Sequence, residues 1–83
     1  MLSIDTIEQE LASQFPHDAT RVYEQSYDAG WGLWLQVRRL RPNGMLFAQT
    51  LLLSSTIHNE EDVALACVKL HRQLHGIEDR VHG

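Results

Sequence analysis

The 83-residue sequence predicts a two-layer α+β domain in which the elements follow the order αβββα. Apolar residues recur at helical spacing near each end of the chain, and alternating stretches separated by turn signals fill the middle. The connections are short, which favours a three-stranded antiparallel meander. Because each helix has one apolar stripe and the sheet has one clearly apolar face, we expect both helices to pack on that face.

The first helix is predicted over residues 3–15. Ser3 is suited to cap its N-terminus, and Pro16 is expected to end it. Its apolar residues recur at intervals of three and four, which places them on one side of the helix: Ile4, Ile7, Leu11 and Phe15.

Three strands are predicted next, over residues 20–28, 31–40 and 45–54. The segment 41–44 reads Arg-Pro-Asn-Gly, a strong turn signal, because proline presets a turn dihedral and glycine accepts a positive φ. The middle strand alternates clearly, with Leu33, Leu35 and Val37 toward one face. The other face is predicted to be exposed and to carry Trp34, Gln36 and Arg38.

The last helix is predicted over residues 59–75, with Asn59 as its N-cap. Gly76 stands where a glycine commonly ends a helix, so residues 77–83 are expected to form a tail after a single domain over residues 1–76. Acidic residues fill the first turn, where they suit the helix dipole: Glu60, Glu61 and Asp62. The apolar stripe is formed by Val63, Ala66, Cys67, Leu70 and Leu74.

The order and lengths of these elements over residues 3–75 resemble the double-stranded RNA-binding domain in outline. In that family the second helix begins with lysines that contact phosphates, whereas this chain has Asn59 followed by the acidic residues 60–62. Carboxylates at that position would repel phosphate. The segment 28–32, Asp-Ala-Gly-Trp-Gly, also lacks the histidine of the family's loop motif. The resemblance therefore implies the architecture and no RNA-binding activity.

Composition excludes several classes of protein. No apolar run is long enough to cross a membrane, and Cys67, the only cysteine, cannot form an internal disulfide. Residues 1–12 carry acids and no basic segment, so we expect no secretory signal and a cytoplasmic location. The net charge of −4 disfavours general nucleic-acid binding.

No set of residues predicts catalysis or a bound metal or cofactor. Cys67, His71 and His75 follow one another at intervals of four, and either His58 or His82 could complete a zinc site. Three ligands on one helix span too great a length to reach one ion, so we expect no metal. Cys67 falls on the apolar stripe, where burial makes a thiol unreactive.

Two tryptophans and two tyrosines lie in neighbouring strands, at Tyr23, Tyr27, Trp31 and Trp34. These residue types and arginine are enriched where proteins bind each other. Either some of them form an exposed partner surface, or one tryptophan lies in the core and the other covers the edge of the sheet.

The small size, the acidic charge and the aromatic strands together predict a non-enzymatic module that binds a larger protein. Phage and mobile-element inhibitors, including anti-CRISPR proteins, commonly have this size and charge; a homodimer also fits. Two binding surfaces are open: the sheet face around Trp34, Gln36 and Arg38, and an acidic rim of Asp5, Glu8, Glu60, Glu61 and Asp62. The alternative function is nucleic-acid binding through Arg38, Arg39 and Arg41 with stacking on Trp34.

Overall fold

The computed structural model describes residues 3–27, 30–53 and 60–82. The elements are α1 (Ile4–Gln14), β1 (Ala19–Tyr27), β2 (Gly30–Arg41), β3 (Gly44–Leu53) and α2 (Glu60–His82). The strands form one antiparallel sheet in the order β1-β2-β3. The predicted α+β class and the meander sheet are therefore confirmed. Asn59, the predicted N-cap of α2, lies outside the described residues.

Local signals fix the start of α1 and the turn between β2 and β3. The Ser3 hydroxyl accepts a hydrogen bond from the backbone N–H of Thr6 at 3.2 Å, which caps α1 as predicted. At the turn, Arg41 pairs with Gly44 across a two-residue connection. Gly44 has a φ of 142°, a conformation that residues with a Cβ rarely adopt, so glycine is required there.

One hydrophobic core joins the two helices to a single face of the sheet. Leu33, Leu35 and Val37 of β2 are fully buried in it. The strands on either side of β2 also contribute side chains to this core, because α1 packs against β1 and α2 packs against β3. The helices contribute Ile7, Leu11, Val63, Ala66, Cys67, Leu70 and Leu74. Both helices thus cover the same face, as predicted, and no described element covers the other.

The two helices run in the same direction. The Phe15 ring, just after α1, stacks on the His71 ring of α2 with their centroids 4.1 Å apart. Glu10 of α1, five residues before Phe15, lies close enough to Cys67 to affect its thiol, and Cys67 lies one turn before His71. The N-termini of α1 and α2 are therefore at the same end of the molecule.

The prediction that the last helix ends at Gly76 is wrong, because α2 continues to His82. Within the described part of the chain only Gly30 and Gly44 have a positive φ, so Gly76 does not adopt the conformation that ends a helix. The turn beyond it is anchored by tertiary contacts, since Glu78 binds both Arg39 and Arg41 of β2. Residues 77–82 are therefore helical, where the sequence predicts a tail.

Candidate functional site

The sheet face opposite the helices is the best candidate for a functional surface. The strand register places Tyr23 of β1 opposite Trp34 of β2, and Trp34 opposite Leu51 of β3. The next row along the sheet is Arg21, Gln36 and Gln49. Because side chains alternate between faces, both rows lie on the face without helices, together with Arg38. We call this surface the open face.

Side-chain amides hold the aromatic groups of the open face in place. The Trp34 indole N–H donates to the Gln25 Oε1 at 2.6 Å. The Gln36 amide nitrogen lies 3.2 Å from both the Tyr23 hydroxyl and the Gln49 Oε1, so a polar row crosses all three strands. These contacts restrict the side-chain rotamers, which reduces the entropy that a partner must remove on binding.

An apolar strip lies on the open face beside the β2–β3 turn. Leu40 is 82% exposed, and the residue paired with it, Met45, is 57% exposed. Phe47 is 44% exposed and lies opposite Arg38. Large apolar side chains that cluster in this way on a surface commonly mark an interaction site. Sequence reasoning missed this strip, because β3 is almost continuously apolar and its own pattern does not assign faces.

Comparison of the chain with protein-family models, with curated proteins and with solved structures finds no match. The geometry of the described residues is therefore what supports a function.

The two tryptophans lie on opposite sides of the sheet. Trp31 is partly buried and packs against the core, on the side of the helices. Trp34 is half-buried on the open face, with its indole N–H already bonded. One tryptophan therefore packs at the core, and the other lies on the open face of the central strand and does not cover an edge of the sheet. That Trp34 contacts a partner stays a prediction. The Tyr27 side chain lies outside the described part of the structure.

The three arginines of the alternative function do not form one surface. Arg39 points to the helix side and donates from Nε and Nη2 to both carboxylate oxygens of Asp18, at 3.0 and 2.9 Å. Glu78 accepts hydrogen bonds from Arg39 and Arg41. Only Arg38 of the three lies on the open face. We call the set of Asp18, Arg39, Arg41 and Glu78 the ion cluster.

The ion cluster shifts the pKa values of two of its members. The hydrogen bond from Arg41 is the main cause that lowers the pKa of Glu78 below its ordinary range, and Arg39 adds to it. The hydrogen bond to Asp18 is the main cause that raises the pKa of Arg39. Through these contacts the cluster ties the end of β2 to the last turns of α2.

The predicted acidic rim divides between two sides of the molecule. Asp5 and Glu8 line a groove between α1 and β1, at one edge of the sheet. Glu60, Glu61 and Asp62 begin α2, which packs against β3 at the other edge. The two groups share one end of the molecule, because the helices run in the same direction.

Cys67, His71 and His75, the candidate metal ligands of the sequence, lie in three different environments. Burial is the main cause that raises the pKa of the Cys67 thiol to about 11, as its place on the apolar stripe of α2 predicts. His71 stacks on Phe15, and the His75 Nε2 lies 3.3 Å from a carboxylate oxygen of Asp79. Among the described residues, no three histidine, cysteine or acidic side chains are placed to hold a metal ion. His58 and the His82 side chain lie outside the described set.

The longest helix carries too many charges to be a membrane span. Across the described ranges, no helix combines the length and the apolar character that crossing a bilayer requires.

Proposed function

We propose that this chain is a non-enzymatic protein-binding module that contacts a larger protein through its open face. The observation that carries the proposal is the apolar strip of Leu40, Met45 and Phe47 on a sheet face that no described element covers. Burying such side chains against a partner is favourable by roughly 1.5–3 kcal/mol for each large residue. A role as a phage or mobile-element inhibitor in the cytoplasm belongs to this proposal and rests on size and charge alone.

The composition of the open face fits a protein partner better than a nucleic acid. Among the described residues of this face, the cations are Arg21 and Arg38, and the Arg21 guanidinium already lies over the Tyr23 ring, 5.1 Å from its centroid. Interfaces between proteins are enriched in aromatic residues, methionine and arginine, all present on this face. Nucleic-acid binding depends instead on neutralising several phosphates, and the chain has a net charge of −4.

The test is to capture partners from the native host with the immobilised chain and to measure the affinity of each captured protein for defined variants. Trp34→Ala and Phe47→Ala should each weaken binding by about 2 kcal/mol, close to thirtyfold, because each removes an aromatic contact with the partner. A variant in which the charges of Glu60, Glu61 and Asp62 are all reversed tests whether the partner binds the acidic rim instead.

Salt dependence separates the candidate surfaces. Binding through the open face should change little between low and physiological salt, because apolar contact is not screened. If the triple charge reversal weakens binding tenfold and both aromatic variants do not, the acidic rim is the interface and the proposal is wrong. If single-stranded nucleic acid binds with Trp34-dependent affinity and a steep salt slope, the alternative function is correct.

A further inference from the structure

The two edges of the sheet differ in how their backbone groups are satisfied. On β3, the backbone N–H and C=O of Gln49 are both bonded to the side-chain amide of Gln73 on α2, at 3.2 and 3.0 Å. The amide pairs with Gln49 much as a neighbouring strand would, so α2 covers this part of the β3 edge. Covering of this kind limits pairing with other chains.

The same contact shows which backbone groups of β1 point out of the sheet. Since the backbone N–H and C=O of Gln49 point away from β2, Gln49 forms a non-hydrogen-bonded pair with Gln36 of β2. Gln36 then directs its groups toward β1, where it forms a hydrogen-bonded pair with Arg21. The residues that alternate with Arg21 along β1 therefore point their backbone N–H and C=O groups away from β2. These residues are Thr20, Val22, Glu24 and Ser26. Within the described ranges no other element pairs with their backbone groups.

An acidic groove lies along this free edge. It has a volume of about 470 Å³ and lies between α1 and the first residues of β1, with Asp5 and Glu8 on the helix side and Thr20 and Val22 on the strand side. Arg21 also borders the groove, but its guanidinium lies over the Tyr23 ring on the open face. The groove is therefore bordered by two carboxylates and by one arginine whose guanidinium lies on the open face, so its net charge is negative.

We propose that the β1 edge binds an extended, lysine- or arginine-rich segment of a partner protein, which adds as a fourth strand. The outward N–H and C=O groups would supply the strand pairing, and the carboxylates of Asp5 and Glu8 would select a basic segment. A second copy of this chain is a poor occupant, because residues 1–20 carry four acids and no lysine or arginine, so edge-to-edge pairing would bring two acidic α1 surfaces together. This site is separate from the open face.

The first test uses an eight-residue peptide of alternating lysine and threonine, added to the folded, isotope-labelled chain. We expect slower amide hydrogen exchange at Thr20, Val22 and Glu24 when the peptide is bound. The control peptide has the same sequence with every backbone nitrogen methylated, so that neither of its edges can donate hydrogen bonds to the strand ladder, and it should bind at least tenfold more weakly. Equal binding of the two peptides would mean attraction by charge alone and would overturn the proposal.

A variant pair tests the edge from the side of the protein. Thr20→Pro removes an outward N–H that no bond to β2 uses, so the fold should be retained while peptide affinity falls at least tenfold. Thr20→Ala keeps that N–H and should bind within twofold of the parent chain. If Thr20→Pro does not melt cooperatively, the methylated-peptide comparison decides alone. A dimer in analytical ultracentrifugation, with the β1 amides protected in the absence of peptide, would also overturn the proposal.

Discussion

At the scale of single residues, β2 places strongly different environments a few positions apart. Val37 faces the helices and is fully buried, whereas Leu40, three residues later, is 82% exposed on the open face. The same polar substitution should therefore prevent folding at the first position and have little effect on stability at the second. This contrast gives a direct check on which face of the sheet carries the core.

We expect Val37→Asp to prevent folding and Leu40→Asp to leave a cooperative thermal melt. A buried, unpaired carboxylate costs several kcal/mol, a large part of the roughly 5–15 kcal/mol by which small domains are stable. The exposed position leaves the carboxylate in water at little cost. Thermal melts of both variants followed by circular dichroism test this prediction. A folded Val37→Asp variant would mean that the two faces of the sheet are assigned wrongly.

Gly76 offers a second prediction at this scale. It lies inside α2, its φ is not in the positive range, and a Cβ built there has no atom within 4 Å. Gly76→Ala should therefore raise the free energy of unfolding by roughly 0.5–1 kcal/mol, because alanine loses less backbone freedom on forming a helix. Denaturant unfolding measures this directly. A destabilised Gly76→Ala would indicate that the helix does end at this glycine.

At the scale of elements, local chemistry made most boundaries predictable. The Ser3 cap and the Pro42–Asn43 turn depend on neighbouring residues in the sequence, so the start of α1 and the β2–β3 hairpin were predicted correctly. The end of α2 depends on Glu78, which binds Arg39 and Arg41. These arginines precede Glu78 by 39 and 37 positions in the chain. Helical periodicity and capping signals carry no information about such a contact, and the glycine signal at Gly76 was misleading.

The ion cluster should make the stability contributed by the end of α2 depend on pH. The pKa of Glu78 is lowered in the folded chain, so its contribution is present above the ordinary pKa of a glutamate and is lost as the pH falls through the lowered value. Glu78→Gln should therefore lower the melting temperature at pH 7, and the difference from the parent chain should shrink as the pH falls below the ordinary pKa of a glutamate.

Melting temperatures of the parent and Glu78→Gln chains from pH 3 to pH 7 test this expectation. Asp79→Asn is the matched control, because Asp79 is exposed on the same helix turn and pairs with His75, which lies on α2 itself. A difference between parent and Glu78→Gln that stays constant over the whole pH range would show that packing, and not charge, holds this turn.

At the scale of the whole molecule, placing both helices on one side leaves the open face as a broad uncovered surface. The alternation in β2 predicted that Trp34, Gln36 and Arg38 would share this face, and the register places them there. The apolar strip at Leu40, Met45 and Phe47 depends on how β3 pairs with β2, which the nearly continuous apolar run of β3 does not reveal. The sequence therefore predicted which side chains lie at the centre of the open face and missed those at its most exposed end.

The most direct test of the open face compares Leu40→Ser with Leu65→Ser in binding to a partner captured by the chain. Leu65 is a matched control, because it is a leucine that is 63% exposed on α2, away from the open face. Leu40→Ser should raise the dissociation constant at least tenfold, since burial of one leucine is worth roughly 1.5–3 kcal/mol, and Leu65→Ser should change it less than twofold. The reverse pattern, with Leu65→Ser weakening binding and Leu40→Ser leaving it unchanged, would contradict the account and place the interface on α2.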